Sequence, residues 1–192
     1  PGNAQERWLV DTVHRQAKKV GIEAPEVGIF QQPQPNAFAT GMTRNRSLVA
    51  VSTGLLNTMS QAEVEAVLGH EVAHVANGDM ITMALLQGLL NTFVIFLSRL
   101  AGFFVDKVIL KNQRGLGMGY FITSIIAQIF LSCIATVIAL WFSRRREFRA
   151  DEGGARLAGK QNMISALKKL QQVQAPQDLP GEFAAFGISG SR

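Results

Sequence analysis

Residues 60–79 read SQAEVEAVLGHEVAHVANGD, and this stretch decides the fold around it. Ser60 and Glu63 have the spacing of a capping box, in which a hydroxyl and a carboxylate satisfy the first free amides of a helix. From there Ala62, Val64, Ala66, Val67, Leu68, Val72, Ala73 and Val75 follow without a proline, so the spacing predicts a regular helix through His70 and His74. Asn77-Gly78 offers a C-cap or a local loosening. Histidines four apart lie one above the other on a helix, so both rings can reach one cation. Glu71, beside the first, can work on a water at the open side of that cation.

This His-Glu-x-x-His pattern is that of zinc peptidases, and the expected cofactor is Zn2+, one per chain, with Glu71 as catalytic base. A catalytic zinc generally takes three protein ligands and leaves a position for water. His14 lies far upstream in a predicted surface helix and reads as exposed rather than ligating. The pattern that adds a glycine and a third histidine is excluded by Asn77 and Met80. A carboxylate is therefore expected, and Glu147-Phe148-Arg149-Ala150-Asp151 supplies one. Its acids share a helical face, so Glu147 is assigned as the third ligand and Asp151 as the acceptor for a ligand imidazole N–H. Glu152 is the nearest competing ligand and Asp79 a weaker one. On a solvated helix the same acids would simply pair with Arg144, Arg145, Arg146 and Arg149.

Two apolar stretches separate the histidines from Glu147. Residues 115–143 hold no formally charged residue and are long enough to cross a bilayer, with Tyr120 and Trp141 toward the two ends. Residues 81–98 are also uncharged but carry Gln87 and Asn91, and are near the lower limit for a span. The arginines that follow Ser143 place that end in the cytoplasm, although Lys107, Lys111 and Arg114 in the intervening loop weaken the contrast. Two crossings return His70 and Glu147 to one side, as a shared metal requires; an odd number would destroy the site. A hairpin that caps the active site without entering lipid is the alternative.

The chain of 192 residues suits one compact domain with attachments. Its net charge of +5 concentrates beside an apolar segment rather than among aromatics, which points to a lipid bilayer and against nucleic acid. The single cysteine, Cys133, excludes an intrachain disulfide and thiolate ligation, and reads as a buried apolar residue. Residues 5–20 predict an amphipathic helix stopped at Gly21. Strands are expected over 26–31, 36–40 and 47–52, as a small meander. The segment Asn36, Ala37, Phe38 and Ala39 is the expected edge on which an extended substrate lies. Gly153-Gly154 either interrupts the Glu147 helix or lets another helix approach. A last helix includes Met163, Ile164, Leu167 and Leu170, and the tail from Ala175 to Arg192 is expected to be mobile.

The stretches 36–41 (NAFATG), 70–79 (HEVAHVANGD) and 146–151 (REFRAD) resemble, in the same order, the HtpX-like bacterial heat-shock membrane proteases. These are a gluzincin family related to the CAAX prenyl endoproteases. The resemblance implies an α+β, mainly helical, zincin-like catalytic domain with a small three-stranded sheet and an inserted hydrophobic hairpin. Within it, 1–80 would carry the histidine helix, 81–143 the hairpin, and 144–192 a C-terminal part holding the third ligand. His70, His74 and Glu147 are implied as ligands and Glu71 as the base. Also implied are the bacterial inner membrane, a catalytic part facing the cytoplasm, and unfolded or misassembled membrane proteins as substrates. Members of the family usually have two further membrane segments before this region and an extension beyond Arg192. The chain, which starts at Pro1, is thus expected to be a fragment without an obvious oxyanion-stabilising group, and to cleave slowly. A non-catalytic membrane scaffold with a structural metal is the rival reading.

Overall fold

The computed structural model describes residues 2–174. The elements are α1 (Ala4–Val20), β1 (Glu26–Phe30), β2 (Ala37–Thr43), β3 (Arg46–Ser52), α2 (Thr53–Thr58), α3 (Gln61–Asn77), α4 (Asp79–Phe104), α5 (Met118–Ala158) and α6 (Lys160–Gln174). A π-helical turn, Val105–Ile109, prolongs α4. The expected tail from Ala175 onward lies outside the described residues.

β3 is the middle strand. Val49, Ala50 and Val51 are all buried, as in a strand covered on both faces. The sheet order is β1-β3-β2, with β1 parallel and β2 antiparallel to β3. The expected meander is therefore corrected. Pro33 and Pro35 leave the 31–36 connection without two ladder donors, and the chain crosses to the far side of β3 instead of turning back beside β1. β2 and β3 are joined by a tight turn at Arg44-Asn45. β2 is thereby left as an edge strand.

Leu9 and Val13 of α1, Val49 and Val51 of β3, Leu55 of α2, Val64, Leu68 and Val72 of α3, and Met163 and Ala166 of α6 form the core. The capping box forms as predicted: Ser60 accepts from the Glu63 amide and Glu63 accepts from the Ser60 amide. Glu63 does more than cap. It also accepts from the Ser165 hydroxyl and lies 3.6 Å from the Lys169 ammonium, both on α6. The Ser165 bond, with the Ser60 amide and Lys169, outweighs burial and lowers the Glu63 carboxyl to about 2. Gly78, with φ 70°, ends α3 in the left-handed region that favours glycine, and α4 starts at the next residue.

α4 and α5 form an antiparallel hairpin. Both are long and apolar enough to cross a membrane. Only 6% and 0% of their most apolar windows are buried, which separates them from core helices. α4 is one helix through the polar Gln87 and Asn91 and past Arg99, longer than the 81–98 stretch suggests. Tyr120 and Trp141 sit toward opposite ends of the apolar part of α5. Cys133 is exposed on the hairpin, correcting the expectation of burial, because an apolar residue on a lipid-facing helix is covered by lipid and not by protein. α5 runs unbroken from the apolar stretch through Glu147 to Ala158, so a boundary at 143/144 falls inside a single helix.

Ser165→Ala is expected to destabilise the fold by about 1–3 kcal/mol at neutral pH by removing the strongest support of the Glu63 charge. A carboxyl lowered in the folded state stabilises it fully above its ordinary value of 4.5, and that contribution is lost as pH falls toward about 2. The difference between parent and Ser165→Ala in thermal unfolding should therefore be widest above pH 5 and shrink as the medium is acidified.

Candidate metal centre

α3 presents His70 and His74 on one face, one turn apart, and α5 brings Glu147 to them. His70 Nε2 and His74 Nε2 are 3.0 Å apart. The Oε2 of Glu147 lies 3.4 Å from the first and 3.5 Å from the second. The three residues form a group able to hold a metal. Tetrahedral zinc with bonds of about 2.0–2.1 Å would set its donors roughly 3.3 Å apart, close to what the side chains show.

The outer ring nitrogens explain the inner ones. His74 Nδ1 is 2.7 Å from Asp79 Oδ2, and Asp79 is 3% exposed. A buried carboxylate beside Nδ1 fixes the proton there and leaves a lone pair on Nε2. His70 Nδ1 is 2.9 Å from Asp151 Oδ1. That contact qualifies by distance only: His70 Nδ1 makes no well-aligned hydrogen bond. We take the pair as an electrostatic contact that a small ring rotation would align. With both protons outward, two nitrogen lone pairs and a carboxylate oxygen face one another. Such acceptors repel unless a cation lies between them, and the donor set fits zinc.

Close helix packing makes this meeting possible. A Cβ added to Gly153 would come within 2.5 Å of the Ala73 side chain, and one on Gly154 within 2.9 Å of the His70 backbone nitrogen. These glycines do not break α5; they let it lie against α3 where the histidines project. Glu147, two turns earlier on α5, then falls opposite the imidazoles.

Glu71 projects toward β2. Burial raises its carboxyl above the ordinary value, opposed in part by the neighbouring His70 and by the Ala39 amide. Burial also works against the Glu147 charge, but the Arg146 hydrogen bond, with the neighbouring His74 and the Arg146 charge, prevails and keeps that carboxyl low. Beside Glu71 is a cavity of about 180 Å³, lined by Asn36, Ala37, Val67, His70, Met163 and Ala166 among others. Its rim is pinned by the fully buried Ser52, which donates to Gln34 and accepts from the Asn36 and Leu55 amides. Phe38 meets Phe30 with ring centroids 5.4 Å apart and the planes tilted by 48°. Of the four expected substrate-contacting residues, Asn36 and Ala37 thus line the cavity and Ala39 neighbours Glu71, whereas Phe38 is exposed and lies beside Phe30, away from the cavity lining.

Other sequence assignments separate. His14 is exposed on α1, and Glu152 is exposed and paired with Arg156 at 2.6 Å. Asp79, weighed only as a rival ligand, is instead the partner of His74. Its spacing of five from His74 is not a helical-face spacing, and only the Gly78 turn makes the contact. Of the four arginines that the sequence offers as partners for these acids, Arg146 bonds Glu147 at 2.8 Å.

A histidine-pair helix under an edge strand, met by a glutamate from a second helix, is a zincin-like arrangement beside a hairpin apolar enough to cross a membrane. The chain belongs to Peptidase family M48, whose profile matches residues 3–187. It is 62% identical over 190 residues to the Protease HtpX of Thioalkalivibrio sulfidiphilus, covering 99% of this chain and 64% of that one. It is 59% identical over 192 residues to the Protease HtpX homolog of Nitrosomonas europaea, covering 100% and 66%. The chain thus spans just under two thirds of the length of these relatives. The fold is similar to that of S. mikatae Ste24p in its crystal structure, with a TM-score of 0.62 at 21% identity over 94% of this chain and 46% of that one. M48 metalloproteases are zinc-dependent.

Gly154→Val should push α5 away from α3 and lower metal retention about tenfold or more, an overpacking cost of about 1–3 kcal/mol. Gly88→Ala, where an added Cβ meets nothing within 4 Å, should leave retention unchanged. Equilibrium dialysis against a chelator of known affinity compares the two.

Proposed function

We propose that the chain forms the catalytic part of a zinc-dependent endopeptidase at the membrane. The convergence of His70 Nε2, His74 Nε2 and Glu147 Oε2 to within 3.5 Å carries this reading. His70, His74 and Glu147 would hold the zinc, one ion per chain. Zinc bound there would lower the pKa of a water toward neutrality and polarise a peptide carbonyl. Glu71 is the general base: it takes a proton from the attacking water and gives one to the departing amine nitrogen. Its burial, which raises the carboxyl above the ordinary value, favours return of the proton once it has been taken. Asp79 and Asp151 hold the imidazoles in the tautomer that leaves each Nε2 free.

The free edge of β2 offers main-chain donors and acceptors to an extended peptide, so recognition rests on backbone and leaves side-chain selectivity broad. Ala37 to Ala39 lie on that edge, with Asn36 tied to Ser52 just before it, and the cavity beside Glu71 would receive a side chain next to the scissile bond. Glu147 is four residues beyond Ser143, or about 6 Å along the helix from the end of the apolar stretch. That short distance supports a centre near the membrane surface. Membrane proteins with locally unfolded segments are the substrates such a position favours. The arginines at 144–146 support a cytoplasmic orientation of this face, and the similarity to HtpX proteases at about 60% identity supports a bacterial inner-membrane location. In domain terms, 1–80 and 144–192 would build the peptidase and 81–143 the hairpin inserted between them.

In the full-length protein, Glu71→Gln should retain zinc and lose proteolysis of an unfolded substrate by at least about 100-fold. His74→Ala should lose zinc as well. Cleavage by Glu71→Gln at the parent rate would remove the base assignment.

A further inference from the structure

We infer that Arg146 is a positioning residue for the metal centre, holding Glu147 so that a single carboxylate oxygen faces the two imidazoles. This rests on the metallopeptidase reading above. Arg146 Nη2 donates to Glu147 Oε1 at 2.8 Å, while Glu147 Oε2 is the atom that approaches His70 and His74. The carboxylate is thus divided between a cationic donor on one side and the centre on the other.

Four features separate Arg146 from a member of an ordinary solvated charge run. Adjacent residues on a helix point about 100° apart, so the guanidinium must fold across the helix surface to reach Glu147. Its side chain is 24% exposed, whereas Glu147 itself is 45% exposed and would otherwise be free to change rotamer. The Arg146 Nε is buried without a partner, so the group is drawn inward despite leaving one donor unused. Its neighbours behave differently: Arg145 lies 5.6 Å over the Trp141 ring, and Arg144 and Arg149 are exposed.

The consequence concerns coordination. A carboxylate free to offer both oxygens can occupy two positions around a cation, including the one a catalytic centre keeps for water. Occupation of Oε1 by Arg146 restricts Glu147 to Oε2. The positive guanidinium also repels a nearby metal ion, which lowers affinity. Two opposed effects follow: pre-organisation of the ligand and charge repulsion. The guanidinium is spent on Oε1, on the far side of the carboxylate from the imidazoles, and a fixed ligand geometry depends on such outer partners by about 10–100-fold in affinity. Pre-organisation is therefore the larger effect.

The test uses full-length protein in detergent, with Zn2+ affinity read by chelator competition and coordination read from the visible absorption of the Co2+-loaded form. Arg146→Gln should bind zinc about 10–100-fold more weakly. Its cobalt bands should weaken, as they do when coordination number rises. Arg146→Lys, which restores a cation but not the planar donor fork, should recover part of the affinity. Arg145→Gln should match the parent. Unfolding of the metal-free proteins should differ only slightly between parent and Arg146→Gln, since the pair is partly exposed and its main role acts through the centre. Parent-like affinity and cobalt bands in Arg146→Gln, or tighter binding, would overturn the inference while leaving the metallopeptidase reading intact. A parent protein that retains no zinc would overturn that reading and this inference together.

Discussion

Three electron-rich atoms from two helices meet in a space the size of one small cation, and most of the surrounding structure serves to hold them there. Left alone, two imidazole lone pairs and a carboxylate oxygen at 3.0–3.5 Å would drive their helices apart. Packing opposes that separation. α3 is anchored by its capping box, by the core residues Val64, Leu68 and Val72, and by the contact of Glu63 with α6. α5 is drawn against it through Gly153 and Gly154. The folded chain thus holds a ligand geometry before a metal arrives, which is the condition under which binding energy is not consumed in rearrangement.

The hairpin is part of this constraint and not an appendage. α3 leads directly into α4 through the left-handed Gly78, and α5 returns from the hairpin tip into the helix that carries Glu147. The two halves of the centre are therefore joined by two long helices, whose antiparallel packing sets where Glu147 lands. At the tip, the fully buried Asp106 accepts from the Gly117 amide and the Asn112 side chain, and Lys107 donates to the Asn112 and Gly115 carbonyls. That network fixes the register of α4 against α5 some 30 residues along the chain from His74 on one side and Glu147 on the other. A membrane around the hairpin would complete a structure whose apolar faces no protein segment among the described residues covers.

Much of this was legible in residue order. The helix over 61–77 follows from its capping box and periodicity, and the pairing of His70 with His74 follows from helical geometry. Glu147 was reachable because only a carboxylate could complete the set and two crossings return the chain to one side. What escaped was tertiary. The parallel pairing of β1 with β3 depends on a proline-bearing connection crossing the sheet, which strand patterns do not encode. Asp79 meets His74 only because Gly78 turns the chain. Arg146 could not be told from Arg144 and Arg145 by residue type; only the fold decides which arginine points inward. Burial of Cys133 was misjudged because apolar composition reports transfer out of water, not whether lipid or protein receives the side chain. Gly153-Gly154 left two readings open, and helix packing selects close approach.

The central claim is that one cation is gripped jointly by the imidazoles of α3 and the carboxylate of α5. Zinc content of the purified full-length protein and of its Glu147→Ala variant, measured after dialysis against a competing chelator, tests this most directly. The account predicts one zinc per chain in the parent and little or none in the variant. Equal zinc in both would contradict it, because the histidine pair would then be holding the metal without help from the second helix.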